Sequence, residues 1–184
     1  MPVAPRPPKK FVADPFEYHE EIELEIESLA NLGQGVGRTA DGWVVFVPFT
    51  IPGERVKARI FRNHKAHSDA DLLEVITPDP SRQDPECPLF GTCGGCQYQH
   101  LSYERQLEWK RSQVEELLVR LAEIEHPVDV VEPSPIQYAY RSKITPHFHK
   151  PKGGKIEAIG FLRAGTRGQV IDVPHCPIAS DAIN

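Results

Sequence analysis

No apolar run in this 184-residue chain approaches the roughly 18–20 residues that cross a bilayer, so no membrane partner is expected. Behind Met1 stands Pro-Val-Ala-Pro-Arg-Pro-Pro-Lys-Lys and no secretory apolar core, so a cytoplasmic location is expected, where disulfides are disfavoured. There is no basic excess: 21 Lys and Arg against 26 Asp and Glu leave a net charge of -5. The global field therefore opposes a nucleic acid, and such a partner must be met by local patches. No glycine loop joins a strand pattern to a helix pattern. Gly33-Gln-Gly-Val-Gly37-Arg38 runs into Thr39-Ala-Asp-Gly-Trp43, a turn into a strand, which argues against dinucleotide binding and for a hairpin turn. What remains is ordinary for a soluble globular chain, 40% hydrophobic and 26% charged, and long enough for one large or two small domains.

Cysteine is sparse, four in all, but not scattered. Cys87, Cys93 and Cys96 follow a Cys-x5-Cys-x2-Cys spacing around Gly94-Gly95, and Cys176 lies far along the chain in Asp-Val-Pro-His-Cys-Pro. Four thiolates suit a tetrahedral zinc ion or a [4Fe–4S] cluster. Zinc sites usually pair two short knuckles, and only one is present; three ligands plus a distant fourth fit an iron–sulfur cluster better. The spacing differs from the Cys-x3-Cys-x2-Cys that leaves one iron open for radical chemistry. A fourth cysteine closes the site, which points to a structural role. A non-enzymatic RNA-binding module with structural zinc is the alternative.

Residues 1–16 hold five of the 18 prolines and read as a disordered tail. Residues 17–78 read as a small β domain. Ile22, Leu24 and Ile26 alternate with Glu21, Glu23, Glu25 and Glu27; Trp43–Phe49, Arg55–Arg62 and Asp71–Ile76 supply further strands. Short strands with turn signals between them predict a closed barrel of the oligonucleotide-binding type. Its basic patch is Lys57 and Arg59 on one strand face with Arg62, His64, Lys65 and His67 adjoining. Residues 79–86 are a proline-punctuated linker. Ser102 caps a helix whose stripe of Leu107, Val114, Leu117, Leu118, Leu121 and Ile124 reads as core, ended by Pro127. Strands are expected again at Val128–Val131, in a hairpin of Tyr140–His149 with Ile156–Leu162, and at Val170–Val173.

Together these residues resemble the RNA (uracil-5-)-methyltransferases of 23S rRNA and tRNA, in the subgroup that carries an iron–sulfur cluster. The match runs from about residue 20 to the end. Residues 17–78 look like the family's TRAM domain, an RNA-binding barrel. Cys87, Cys93, Cys96 and Cys176 match the four cluster ligands in order, with the Cys-Gly-Gly-Cys-x-x-Gln-His signature running through Gln99 and His100. Tyr140-Arg-Ser-Lys143 resembles a Tyr-Arg-Asn-Lys motif with Ser142 in place of Asn, and Ile159-Gly-Phe161 and Val170–Cys176 resemble the segment that follows.

The resemblance implies a [4Fe–4S] cofactor and a structured RNA partner, rRNA or tRNA, met by Lys57, Arg59, Arg62, Lys65, His100, Arg141 and Lys143. It also implies covalent chemistry in the intact enzyme: a thiolate adds to C6 of a flipped-out uridine, C5 takes the methyl group of SAM, and a base removes the C5 proton. Family members carry the SAM loop, that thiolate and the base on a Rossmann-like domain after the segment matched here. All four cysteines are already assigned, so the chain is expected to be the front part of such an enzyme. It would be inactive until joined by a C-terminal methyltransferase domain, in cis or in trans, with SAM bound only in the full-length enzyme. The expected fold is thus α+β: an OB-like barrel (17–78), a linker (79–86) and an incomplete α/β central domain with the cluster loop (87–184), the SAM-binding domain being absent.

Overall fold

The computed structural model describes residues 6–151 and 153–184; the first five residues of the expected tail and Lys152 of the expected hairpin loop lie outside them. The chain divides into two compact units between Arg82 and Gln83, within the stretch read as linker.

The first unit is a closed barrel of five strands: β1 (Glu21–Leu29), β2 (Gln34–Arg38), β3 (Val44–Pro48), β4 (Arg55–Asn63) and β5 (His67–Thr77), in the order β1-β2-β3-β5-β4. All neighbours are antiparallel except β3 and β5, and β4 returns to β1 to close the ring. Strand alternation dictates the lining. Leu24, Ile26, Val45, Val47, Val56, Ala58, Ile60 and Ala70 point inward as the core, and the glutamates of β1 point outward. Each large member of that core contributes about 1.5–3 kcal/mol by leaving water. Closure leaves no open edge along the sheet.

The glycine-rich stretch is a strand, not the turn expected from it. Only Gly33 (φ 80°) serves the turn; Gly35 and Gly37 are buried inside β2. A Cβ on Gly35 would stand 2.0 Å from Thr50 Oγ1, and one on Gly37 would stand 2.1 Å from Leu24 Cδ1 and 2.6 Å from the Glu25 carbonyl oxygen. Glycine is there because the barrel interior has no room for a side chain.

Residues at both ends of the barrel sequence are tied in. Asn63 Nδ2 donates to the carbonyls of Val12 and Phe16 at 2.8 and 2.7 Å, and Phe16 packs on the core. The segment through Phe16, read as a disordered tail, is therefore anchored at its C-terminal end. Beyond β5, Arg82 reaches back to the fully buried Glu54. Its guanidinium holds both carboxylate oxygens and the Phe49 carbonyl, while the Ile51 amide donates to Glu54 Oε2 at 3.0 Å.

The second unit contains α1 (Tyr103–Ala122) and a two-stranded sheet of β6 (Gly160–Leu162) and β7 (Val170–Asp172). Ser102 occupies the N-cap position without a side-chain cap bond, and the helix ends at Ala122, before Pro127, on a left-handed Glu123 (φ 55°). The apolar stripe is not core. No residue of α1 is buried, and Val114, Leu117 and Leu121 are 47%, 40% and 80% exposed. Among its described residues the unit supplies two three-residue strands, too little sheet to cover a 20-residue helix. Val128–Val131 is not a strand; the Val128 amide caps Glu115 Oε1 instead. The hairpin expected from 140–149 and 156–162 shrinks to one bridge, His147 with Gly160, and Gly160–Leu162 pairs with β7. Pro146 cannot donate to a ladder, and Phe148 is left 59% exposed.

Candidate functional site

The four cysteines are all free and half-buried. The loop carrying the first three is folded by its own backbone: Phe90 N bonds to the Cys87 carbonyl at 3.0 Å and Cys93 N to the Leu89 carbonyl at 2.7 Å. It docks on the end of β6 through Gly94 N to Leu162 O (3.0 Å) and Ala164 N to Thr92 O (2.8 Å). Cys176 arrives just after β7. The chain that follows it pairs with residues 139–141, through Ala139 N to Pro177 O and Arg141 N to Ile178 O, each 2.8 Å. Asn184 clasps Cys176 from both sides, Oδ1 accepting from its amide and Nδ2 donating to its carbonyl.

Electrostatics brings all four together. Burial above all pushes the Cys93 thiol up; the Gly95 amide opposes this, and the charges of Cys87 and Cys176 push it further. Cys96 is likewise raised by burial first, eased by the Gln99 side chain, then raised by Cys176, Cys93 and Cys87. Gln99 is the hinge of this arrangement. At 8% exposure, its Oε1 accepts from the Cys87 amide (2.9 Å), while its buried Nε2 has no hydrogen-bond partner among the described residues. An orphaned buried amide donor in the cysteine loop suits a metal-bound thiolate, so these residues fit a metal–sulfur group. Among the described residues, the one set of three His, Cys, Asp or Glu ligand atoms within 4.8 Å of one another is His64, His67 and Asp69.

The basic residues divide sharply. Lys57 is paired with Glu21 at 2.6 Å, an interaction that raises the lysine and lowers the carboxylate, and Arg59 is paired with Asp71 at 3.0 Å. Arg62 and Lys65 are exposed at the β4–β5 hairpin with no ion pair among the described residues. Arg141 and Lys143 are exposed. His100 is 1% exposed beside Phe90 (ring centroids 5.2 Å), so its imidazole offers no surface to an RNA. Sequence reasoning missed a cavity of about 530 Å³ in the second unit, lined by Cys96, Tyr98, Tyr103, Tyr138, Tyr140 and Arg141 among others. Its signal was the recurrence of tyrosine on both sides of the helix.

Comparison with known proteins fits these features to a family. Residues 16–73 match the model of the TRAM domain. Residues 16–73 are a TRAM domain. Beyond the TRAM barrel, the chain is 44% identical over 180 residues to a Schizosaccharomyces pombe protein named tRNA (uracil(54)-C(5))-methyltransferase, covering 92% of this chain and 34% of that one. It is 36% identical over 167 residues to a Halomonas elongata 23S rRNA (uracil(1939)-C(5))-methyltransferase RlmD, covering 88% and 33%. The crystal structure of Pyrococcus abyssi tRNA (uracil-54, C5)-methyltransferase in complex with S-adenosyl-L-homocysteine superposes with a TM-score of 0.55 at 28% identity, over 87% of this chain and 33% of that one. The chain is homologous to the RNA (uracil-5-)-methyltransferases over most of its length and spans about a third of the curated relatives it matches. The resemblance of the TRAM strands and of most of the chain to these enzymes is thus borne out. No helix among the described residues is long and apolar enough to cross a membrane.

Proposed function

We propose that this chain is the RNA-docking and iron–sulfur portion of a SAM-dependent RNA (uracil-5-)-methyltransferase acting on tRNA or rRNA. The observation that carries the reading is homology to such enzymes over both the TRAM barrel and the four-cysteine unit. Cys87, Cys93, Cys96 and Cys176 hold a [4Fe–4S] cluster, which ties the loop before α1 to the chain after β7 and leaves no iron open for chemistry. The three-plus-one spacing of the cysteines supports a cluster over a single zinc ion, and the orphaned Gln99 donor suits a thiolate ligand in either.

RNA meets the TRAM hairpin at Arg62 and Lys65, and the second unit at Arg141 and Lys143. The tyrosine-lined cavity suits unpaired bases, which stack on aromatic faces where the backbone is met by cations. Lys57 and Arg59 stay engaged with carboxylates, and His100 supports the cysteine loop from within. The chain alone transfers no methyl group, since every cysteine is a cluster ligand and none remains to add to C6 of uracil. SAM and the catalytic groups belong to a C-terminal methyltransferase domain in cis or in trans.

Anaerobic purification followed by iron, sulfide and zinc analysis tests the cofactor. About four iron and four sulfide per chain are expected; a colourless protein with one zinc overturns the cluster. Fluorescence anisotropy with tRNA transcripts tests docking, and salt-insensitive or absent binding refutes it. Tritium release from C5-labelled uridine in RNA tests the last part: release by this chain alone with SAM refutes the inactivity.

A further inference from the structure

The β4–β5 hairpin of the TRAM barrel carries a second constellation, made of His64, His67 and Asp69. Its geometry begins with the turn. His64 N bonds to the His67 carbonyl at 2.8 Å, so the two histidines face each other across Lys65-Ala66. His67 and Asp69 lie two apart on β5 and share its outer face, while Ser68 and Ala70 between and beyond them are buried. The His64 ring folds over His67, with centroids 4.3 Å apart and planes 20° from parallel. The Asp69 carboxylate spans both: Oδ2 lies 2.8 Å from His64 Nε2 and Oδ1 lies 4.0 Å from His67 Nε2. One ligand atom from each residue falls within 4.8 Å of the other two.

The surroundings hold this cluster in place. Phe46 packs edge-on against the His67 ring at 5.1 Å. Ser68, between two of the three residues, donates to Asn63 Oδ1 (2.7 Å) and accepts from Trp43 Nε1 (3.0 Å). Asn63, next to the third, is fixed by its bonds to Val12 and Phe16. All three side chains are partly shielded, with exposures of 29%, 35% and 22%.

A hydrogen bond between His64 Nε2 and Asp69 Oδ2 accounts for the 2.8 Å contact, but it leaves His67 Nε2 4.0 Å from Oδ1, beyond hydrogen-bond reach. A divalent cation satisfies all three ligands at once. Nitrogen and oxygen ligands at about 2.0–2.2 Å from a tetrahedral zinc lie about 3.3–3.6 Å from one another. The two observed nitrogen–oxygen separations, 2.8 and 4.0 Å, bracket that range. Two imidazoles and a carboxylate are borderline donors, which select zinc-class ions over magnesium or calcium.

We propose that His64, His67 and Asp69 form a three-ligand site for a zinc-class divalent cation, with the fourth position left to solvent. The site is separate from the four cysteines and independent of the methyltransferase reading. With neutral imidazoles the triad carries one negative charge, and a bound divalent ion makes it positive, beside the exposed Arg62 and Lys65.

The test uses the full chain, stripped with chelator and titrated with zinc chloride, reading the imidazole nitrogens of all eight histidines by 15N NMR. Selective movement of the His64 and His67 Nε2 signals, saturating with one equivalent, is expected even if the cysteines take zinc as well. Equilibrium dialysis should show one zinc fewer in His64→Ala/His67→Ala than in the wild type, and affinity at this site at least about ten-fold weaker in Asp69→Asn. Unmoved His64 and His67 signals overturn the proposal, as does movement that requires zinc on the order of millimolar. Should the double alanine variant fail to fold, the wild-type NMR titration decides alone.

Discussion

Arg82→Met is expected to destabilise the barrel by about 3–5 kcal/mol, far more than a place in a proline-punctuated connector suggests. The cost comes from what the substitution strands. Glu54 is 0% exposed and receives three donors: the Ile51 amide at 3.0 Å and the Nε and Nη2 of Arg82. Without the guanidinium, a buried carboxylate keeps the Ile51 amide and loses both bonds from Arg82, and the Arg82 bond to the Phe49 carbonyl goes too. A second change separates the buried charge from simple loss of packing. Glu54→Gln keeps an oxygen for Ile51 and removes the charge, so Glu54→Gln/Arg82→Met should recover at least about 2 kcal/mol over Arg82→Met alone. Urea unfolding followed by Trp43 fluorescence in a Trp109→Phe background reads the barrel specifically, because Trp43 packs against the core and its Nε1 is held by Ser68. A single variant within about 1 kcal/mol of wild type refutes the reasoning, as does a double variant no more stable than the single.

In the same assay Gly37→Ala should cost at least about 1–3 kcal/mol, because its new methyl would meet the Leu24 side chain and the Glu25 carbonyl; a neutral result would show that β2 can shift outward. Cys176→Ser should lose iron and loosen the pairing of residues 139–141 with 177–180, seen as faster amide exchange there; full iron content with unchanged exchange excludes the long-range clasp. Because burial raises Cys93 and Cys96, the metal-free fold holds their stabilising effect below the unfolded thiol value of about 8.5 and loses it as pH climbs through the higher folded values. Its unfolding midpoint should therefore fall in alkali, and Cys93→Ala/Cys96→Ala should flatten that fall. Glu21→Gln should strengthen RNA binding by freeing Lys57, whereas Lys57→Ala should change it little; the opposite order in anisotropy titrations would place Lys57 in the RNA contact.

The barrel was legible because its signal is local. Alternation of Ile22, Leu24 and Ile26 with glutamates needs no partner to be read, and β1 forms where that pattern runs. Gly35 and Gly37 misled because composition cannot tell a glycine that bends the chain from one that clears room for Thr50 and Leu24, residues brought there by closure. The α1 stripe misled in the opposite sense: apolar periodicity records that a face is to be covered, but not whether the cover lies in these residues. The cysteine spacing grouped three thiols in one loop, and that loop is folded by its own backbone. The second role of Gln99 was hidden, since its bond to the Cys87 amide depends on how the loop folds. Arg82 and Glu54 lie 28 residues apart, and nothing in either neighbourhood announces the other.

The charge pattern reconciles a net negative chain with the RNA docking proposed above. Along the contact of β1 and β4, Glu21 meets Lys57 and Glu23 meets Arg55, while Glu27 holds Arg38 of β2. Such exposed pairs add little stability, about 0–1 kcal/mol each. Their effect is on where positive charge stays available. Three of the four acids on β1, Glu21, Glu23 and Glu27, each occupy a base that a residue count would credit to the positive charge of the barrel, and β5 does the same to Arg59 through Asp71. Ion pairing thereby withdraws the barrel wall from competition for phosphate and leaves the hairpin tip, with Arg62 and Lys65, as the positive feature of this face. Composition averages over that distinction. The -5 total says that nucleic acid will not be attracted from afar, and the pairing says which few side chains remain to meet it at contact.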